Sequence, residues 1–165
     1  MGIRSRKLKL SLAAVGVFAV GAVAGGVAIS EVKKDPPAPK YNSLARTVNP
    51  IGGKNRALGL SRVVIQPGAK IPLHYHEGTQ VSYIQSGVLT YTVHTGRVRV
   101  MTGPGDDGTL VRVIKAGQTG KIKAGQWIKE VPSERHSANN YGKKKIVIYL
   151  ANLLKKNASP STLVP

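Results

Sequence analysis

The chain of 165 residues contains no cysteine. Disulfides, thiolate metal sites, cysteine nucleophiles and a lipid-bearing cysteine at an export cleavage point are thereby excluded. Acidic residues are also scarce, with 7 Asp and Glu against 25 Lys and Arg and a formal net charge of +18. So few carboxylates leave no obvious general base, and the only adjacent acidic pair, Asp106-Asp107, reads as a solvated hairpin turn. Aromatics are few: 6 Tyr, 1 Trp and 1 Phe. Nucleic-acid binding would need stacking aromatics among the cations, so it is not expected. Neither a Gly-x-Ser-x-Gly elbow nor a Walker loop occurs.

What the chain does have begins with a targeting segment. Arg4, Arg6, Lys7 and Lys9 precede an uncharged run, Leu10 to Ser30, in which every residue of 10–29 is apolar except Ser11 and four glycines. Basic residues before an apolar run are the layout of an export signal or a signal anchor, and about 20 residues at 1.5 Å each span the roughly 30 Å of a bilayer core. Both outcomes stay open. Ala22-Val23-Ala24 and Ala28-Ile29-Ser30 each suit cleavage, whereas an uncleaved run would anchor the protein through residues 10–29. Lys7 stands where a twin-arginine signal would carry its second arginine. The expected location is extracytoplasmic, secreted or membrane-anchored. Loss of residues 1–30 would remove four cations and no acid from the +18 total, leaving +14. Such a surface suits solvation first, and adhesion to anionic lipids or envelope polymers second.

Residues 31–56 read as a flexible tether, because Asp35-Pro36-Pro37-Ala38-Pro39 favours extended polyproline geometry. Residues 155–165 read as a disordered tail. Between them, 57–154 reads as one all-β domain. Strands are predicted at 57–66, 79–85, 87–94, 97–102, 109–115, 119–123, 126–131, 135–140 and 144–152. Glycines and prolines mark the breaks, and apolar residues alternate with cations, as in Arg97-Val98-Arg99-Val100. Strands at this spacing suggest a closed barrel or jelly roll.

The chemistry is concentrated in the histidines. His74-Tyr75-His76 puts two imidazoles on one side of an extended segment, Gln80 shares their parity, and Glu77 should point away. A third imidazole from a distant strand would complete a nitrogen set for a divalent transition ion. His94, in a Thr-rich turn, reads as a surface residue. Trp127, Tyr83 and Tyr91 read as core packing first and pocket lining second.

Gly68, His74, His76, Gln80 and Gly87, at these spacings, resemble the first motif of the cupins, with Gln80 where the family normally has Glu. Gly125, His136 and Asn140 resemble a degenerate second motif, in which Pro132 falls one place late and Glu134 or Arg135 replaces the inner glycine. The resemblance covers roughly 57–152 and implies a single jelly-roll-like cupin barrel. It implies metal ligation by His74, His76, Gln80 and His136, with Gly68 and Gly87 as turn residues and Asn140 pinning backbone. It leaves the metal open among iron, manganese, nickel, copper and zinc. An amide oxygen at Gln80 would be a weak, neutral ligand or a partner of metal-bound water.

Three function classes follow from that resemblance: a metal-dependent dioxygenase or isomerase acting on a small organic substrate, a non-catalytic ligand-binding module of the cell envelope, and a structural barrel. A homodimer is among the expected assemblies.

Overall fold

The computed structural model describes residues 36–105 and 107–165, and every regular element among them is a strand. In chain order these are β1 (Lys40–Val48), β2 (Arg56–Ile65), β3 (Lys70–Tyr75), β4 (Gly78–Ser86), β5 (Val88–Thr95) and β6 (Arg97–Thr102). There follow β7 (Thr109–Lys115), β8 (Thr119–Lys123), β9 (Gln126–Glu130), β10 (Arg135–Asn139), β11 (Ile146–Lys155) and β12 (Thr162–Leu163). Two antiparallel sheets result, one of seven strands in the order β1-β2-β11-β4-β9-β6-β7 and one of five, β12-β3-β10-β5-β8.

The period of two in the sequence becomes the inside and outside of these sheets. Val63 and Ile65 of β2, Ile84 of β4, Val98 and Val100 of β6 and Ile128 of β9 meet Leu89, Tyr91 and Val93 of β5 and Ile122 of β8 in one core. Each fully buried Ile or Val contributes about 1.5–3 kcal/mol through apolar area removed from water. Gly87 turns β4 into β5 at φ +84°, where a Cβ would also lie 2.9 Å from Ile146 Cγ1. Asn140 fixes the turn before β11: its amide nitrogen donates to the carbonyls of Ile65 and Lys144, each at 2.9 Å.

The nine strands predicted from sequence all form, within a few residues of their expected ends. Three more appear, and they correct the expected boundaries. Residues 40–48, assigned to the tether, are β1, which pairs with β2 from Lys40↔Val64 to Val48↔Ala57 around a bulge. Every β1 residue is exposed, so no apolar alternation marks it, and main-chain pairing holds it. The tail is likewise fixed, because Thr162 and Leu163 pair with Tyr75 and His74. The third, β3, carries Pro72 and falls short of a clear apolar alternation. The expected export segment, the start of the tether and Asp106 lie outside the described residues.

Candidate metal centre

Three imidazoles converge between the sheets. His74, at the end of β3, is in register with His136 of β10, and His76 follows two residues later. All three are buried, and one ring nitrogen from each lies within 4.8 Å of the others. The backbone sets their tautomers. His74 Nδ1 lies 2.8 Å from the Pro72 carbonyl and His76 Nδ1 2.6 Å from the Pro160 carbonyl. A carbonyl only accepts, so each Nδ1 carries the proton and each Nε2 keeps its lone pair, which in His76 faces the Gln80 amide nitrogen at 3.2 Å. Pro160 belongs to the segment expected to be a disordered tail.

A carboxylate borders the cluster, and it is not one the sequence singled out. Glu130, the last residue of β9, lies directly across from Gln80 in the β4–β9 register. Its Oε2 accepts hydrogen bonds from Gln80 Nε2 and Ser82 Oγ, both 2.8 Å, and its Oε1 accepts one from the Tyr91 hydroxyl at 2.9 Å. Oε1 is also 3.2 Å from His136 Nε2, and Oε2 is 3.8 Å from His76 Nε2. Among the described residues, no Lys or Arg comes within 4.0 Å of this carboxylate.

Burial works to raise the Glu130 carboxyl, but His136, His76 and the donors Gln80 and Ser82 outweigh it and hold it at about 2. Burial pushes His136 down to about 4, with His74 and His76 adding to the effect against the pull of Glu130. His74 is lowered for the same first reason. Tyr91 is raised by burial and then by the adjacent Glu130 charge, which keeps its hydroxyl a donor. At neutral pH the cluster thus pairs an ionised carboxylate with neutral imidazoles of His74 and His136. Such a buried anion without a cation is costly.

Three converging imidazole nitrogens suit a divalent transition ion, and the Glu130 carboxylate lies beside them. Three buried polar atoms here have no hydrogen-bond partner: both ring nitrogens of His136 and Gln80 Oε1. Orphans of this kind are rare in native cores and mark a place where another group belongs.

A sequence-family model described as a Cupin domain matches residues 61–106, the stretch that holds the first two histidines and Gln80. Over that stretch the chain is similar to the cupins. Its fold is similar to that of the polyketide cyclase RemF from Streptomyces resistomycificus, at 16% identity and a TM-score of 0.51, over 80% of this chain and 76% of that one. It is also similar to a cupin 2 domain-containing protein from Halorhodospira halophila (12% identity, TM-score 0.50, 82% and 76% coverage). A third likeness is to the Cnp3 cupin domain of Schizosaccharomyces pombe (15% identity, TM-score 0.50, 70% and 64% coverage). No curated protein sequence matches the chain.

The cluster opens into a cavity of about 230 Å³ between the sheets. Val63, Ile71, Leu89 and Ile148 give it apolar walls, and Pro39, Tyr41, Pro160 and Ser161 stand among its lining residues. Both chain segments expected to be loose therefore help to build the pocket. That volume is below the usual 300–1,000 Å³ of ligand pockets, so only a small molecule fits beside the histidines.

The other sequence-nominated residues sort by strand parity. Gln80 reaches the cluster with its amide nitrogen, 3.2 Å from His76 Nε2, rather than with its oxygen. Glu77 points outward to Lys155 at 2.6 Å, as expected. His94 is on the surface beside Ser137. Tyr91 is core and pocket at once. Tyr83 and Trp127 are not core but line a second pocket: a cross-strand pair on the outer face, they sit in a groove of about 940 Å³ with Arg97, Arg99, Met101 and Lys129. The signal that could have found Glu130 is parity with Ile128, the buried apolar residue of the same short strand.

Proposed function

We propose that this cupin is an extracytoplasmic, metal-dependent protein that acts on a small, largely apolar organic molecule. The observation that carries the reading is the set of three buried imidazoles lining the 230 Å³ cavity, two of them with Nδ1 protonated against backbone carbonyls so that Nε2 keeps its lone pair. His74, His76 and His136 would hold the ion. A bound divalent ion supplies Lewis-acid or oxygen-activating chemistry at an open coordination position, the kind used in oxygenation and isomerisation. The residues around it do the rest. Glu130 balances charge, Tyr91 keeps a proton beside it, and the apolar walls exclude water and orient the guest. Export is supported by the basic residues ahead of the apolar run 10–29.

The test is metal analysis of the untagged full chain. About one equivalent of a divalent transition ion is expected, and the His136→Ala variant should contain almost none. A metal-free wild type that also fails to take up iron, manganese, nickel, copper or zinc ends the proposal.

A second reading rests on the outer groove. Arg97, Arg99 and Lys129 beside Trp127 and Tyr83 favour a non-catalytic envelope module that adheres to anionic lipids or polymers. The histidines face the interior from β3 and β10 and the groove lies on the outer face of β4, β9 and β6, so the two readings do not compete for residues.

A further inference from the structure

We infer that Glu130 supplies the carboxylate of the metal centre, binding through Oε1, while Gln80 serves as the hydrogen-bond donor that aims it. The inference rests on the metal reading above and deepens it. The family's motif puts its carboxylate at position 80, which here is an amide. The carboxylate has moved one strand sideways, from β4 to the directly opposed position on β9. Side chains so paired share a face and stand about 5 Å apart at Cβ, so one can replace the other at a common point.

The two oxygens of Glu130 have unequal duties. Oε2 already accepts two hydrogen bonds, from Gln80 and Ser82, which occupy its lone-pair directions. Oε1 accepts only the Tyr91 hydroxyl and keeps one lone pair free. That free side meets His136 Nε2 at 3.2 Å, yet His136 Nε2 has no hydrogen-bond partner. Two ligand atoms each about 2.1 Å from a shared ion stand roughly 3.0–3.4 Å apart, which fits an oxygen and a nitrogen juxtaposed without a hydrogen bond between them.

Gln80 is oriented against direct ligation. Its Nε2 lies between Glu130 Oε2 and His76 Nε2, both acceptors. Turning the amide over would set oxygen against oxygen and remove a donor from the carboxylate. Ser82, Tyr91 and Gln80 therefore form a three-donor cradle that fixes one carboxylate in one rotamer, the support a precise metal ligand needs.

The experiment titrates Co²⁺ alone into the chelator-stripped full chain and reads affinity and the visible Co²⁺ spectrum, with circular dichroism as a check of folding. Wild type should bind, and His136→Ala should not. Glu130→Gln, nearly isosteric, should bind at least 100-fold more weakly, beyond the roughly 10–100-fold expected of a residue that only orients a ligand. The double variant Gln80→Glu/Glu130→Gln returns the carboxylate to the family's position and should recover to within about tenfold of wild type. If Glu130→Gln fails to fold, Glu130→Asp keeps the charge but retracts the oxygen, and it should both weaken binding and alter the spectrum. Wild-type affinity in Glu130→Gln alongside loss in His136→Ala overturns the role of Glu130 and leaves the metal centre standing. A double variant no better than Glu130→Gln, or a Glu130→Asp indistinguishable from wild type, overturns it too. Absence of Co²⁺ binding by wild type instead defeats the metal reading itself.

Discussion

Strands β4 and β9 build two unlike surfaces from neighbouring residues. Gln80, Ser82, Ile128 and Glu130 face inward, where they are buried and the polar members bond one another. Val81, Tyr83, Trp127 and Lys129 face outward and line the basic groove with Arg97 and Arg99 of β6. The inner face gathers one anion and excludes cationic side chains. The outer face gathers cations and leaves them to solvent. A chain of net charge +18 thus keeps a pocket suited to an added cation, because the period of two assigns each charge to a face. Composition describes the outer surface well and says almost nothing about the inner one.

The sharpest way to break this contrast is to cut at two adjacent residues. Ile128→Ala removes a side chain with no exposure and should cost about 2–5 kcal/mol in a two-state urea unfolding measurement. Lys129→Ala, one residue on and on the other face, should change stability by no more than about 0.5 kcal/mol. Equal losses would mean that the groove is structural.

Removal of residues 157–165 tests how far the inner face depends on distant chain. It withdraws the Pro160 carbonyl that holds His76 Nδ1, frees the ring to change tautomer and opens one side of the cavity. Affinity for Co²⁺ should fall about 10–100-fold, the usual consequence of losing a ligand's orienting partner. Calorimetric titration reads the change. Unaltered affinity would show that the tail merely covers the site.

These contacts also mark how much could be read from sequence. The alternation of Val98 and Val100 with Arg97 and Arg99 was legible because burial imposes a period on side-chain type, and His74, His76 and His136 because their spacing resembles a family's motif. β1 was not legible, since a wholly exposed edge strand needs only main-chain pairing. Pro160 was beyond reach for a related reason. It acts through a carbonyl that every residue possesses, 84 positions from its partner. Glu130 lay between these extremes, because Lys129-Glu130 reads as a charged strand end until Ile128 is known to face inward.

Acid should affect the two faces differently. His136 titrates at about 4 when folded against an ordinary 6.5, so below pH 6.5 the unfolded chain takes up a proton that the folded chain refuses. Glu130, held at about 2, adds stability that is full above its ordinary range near 4.5 and is lost as pH falls towards 2. Both signs agree: the metal-free protein should lose stability from pH 6.5 downward. His136→Gln should flatten that slope between pH 6.5 and 4, whereas Lys129→Ala should leave it unchanged. A slope equally steep in His136→Gln would place the acid sensitivity elsewhere.

The last contrast belongs to the outer groove. Arg97, Arg99 and Lys129 lie on one face of two neighbouring strands, β6 and β9, with Glu134 as the one acidic residue in the lining. A cation near an anionic surface contributes about 1 kcal/mol, so replacing all three with Ala should weaken adhesion to phosphatidylserine vesicles roughly a hundredfold at low salt. The attraction acts between solvent-exposed charges, and at about 1 M salt the screening length shrinks to roughly 3 Å. Wild type and triple variant should then bind equally poorly in a vesicle sedimentation assay. The Co²⁺ affinity of the triple variant should equal that of wild type, since none of its substitutions faces the histidines. Should the triple variant adhere as well as wild type at low salt, the adhesive charge lies on other strands and the groove holds no special place on the basic surface. Should it lose Co²⁺ as well, the two faces are coupled through β9, and the separation drawn from strand parity fails.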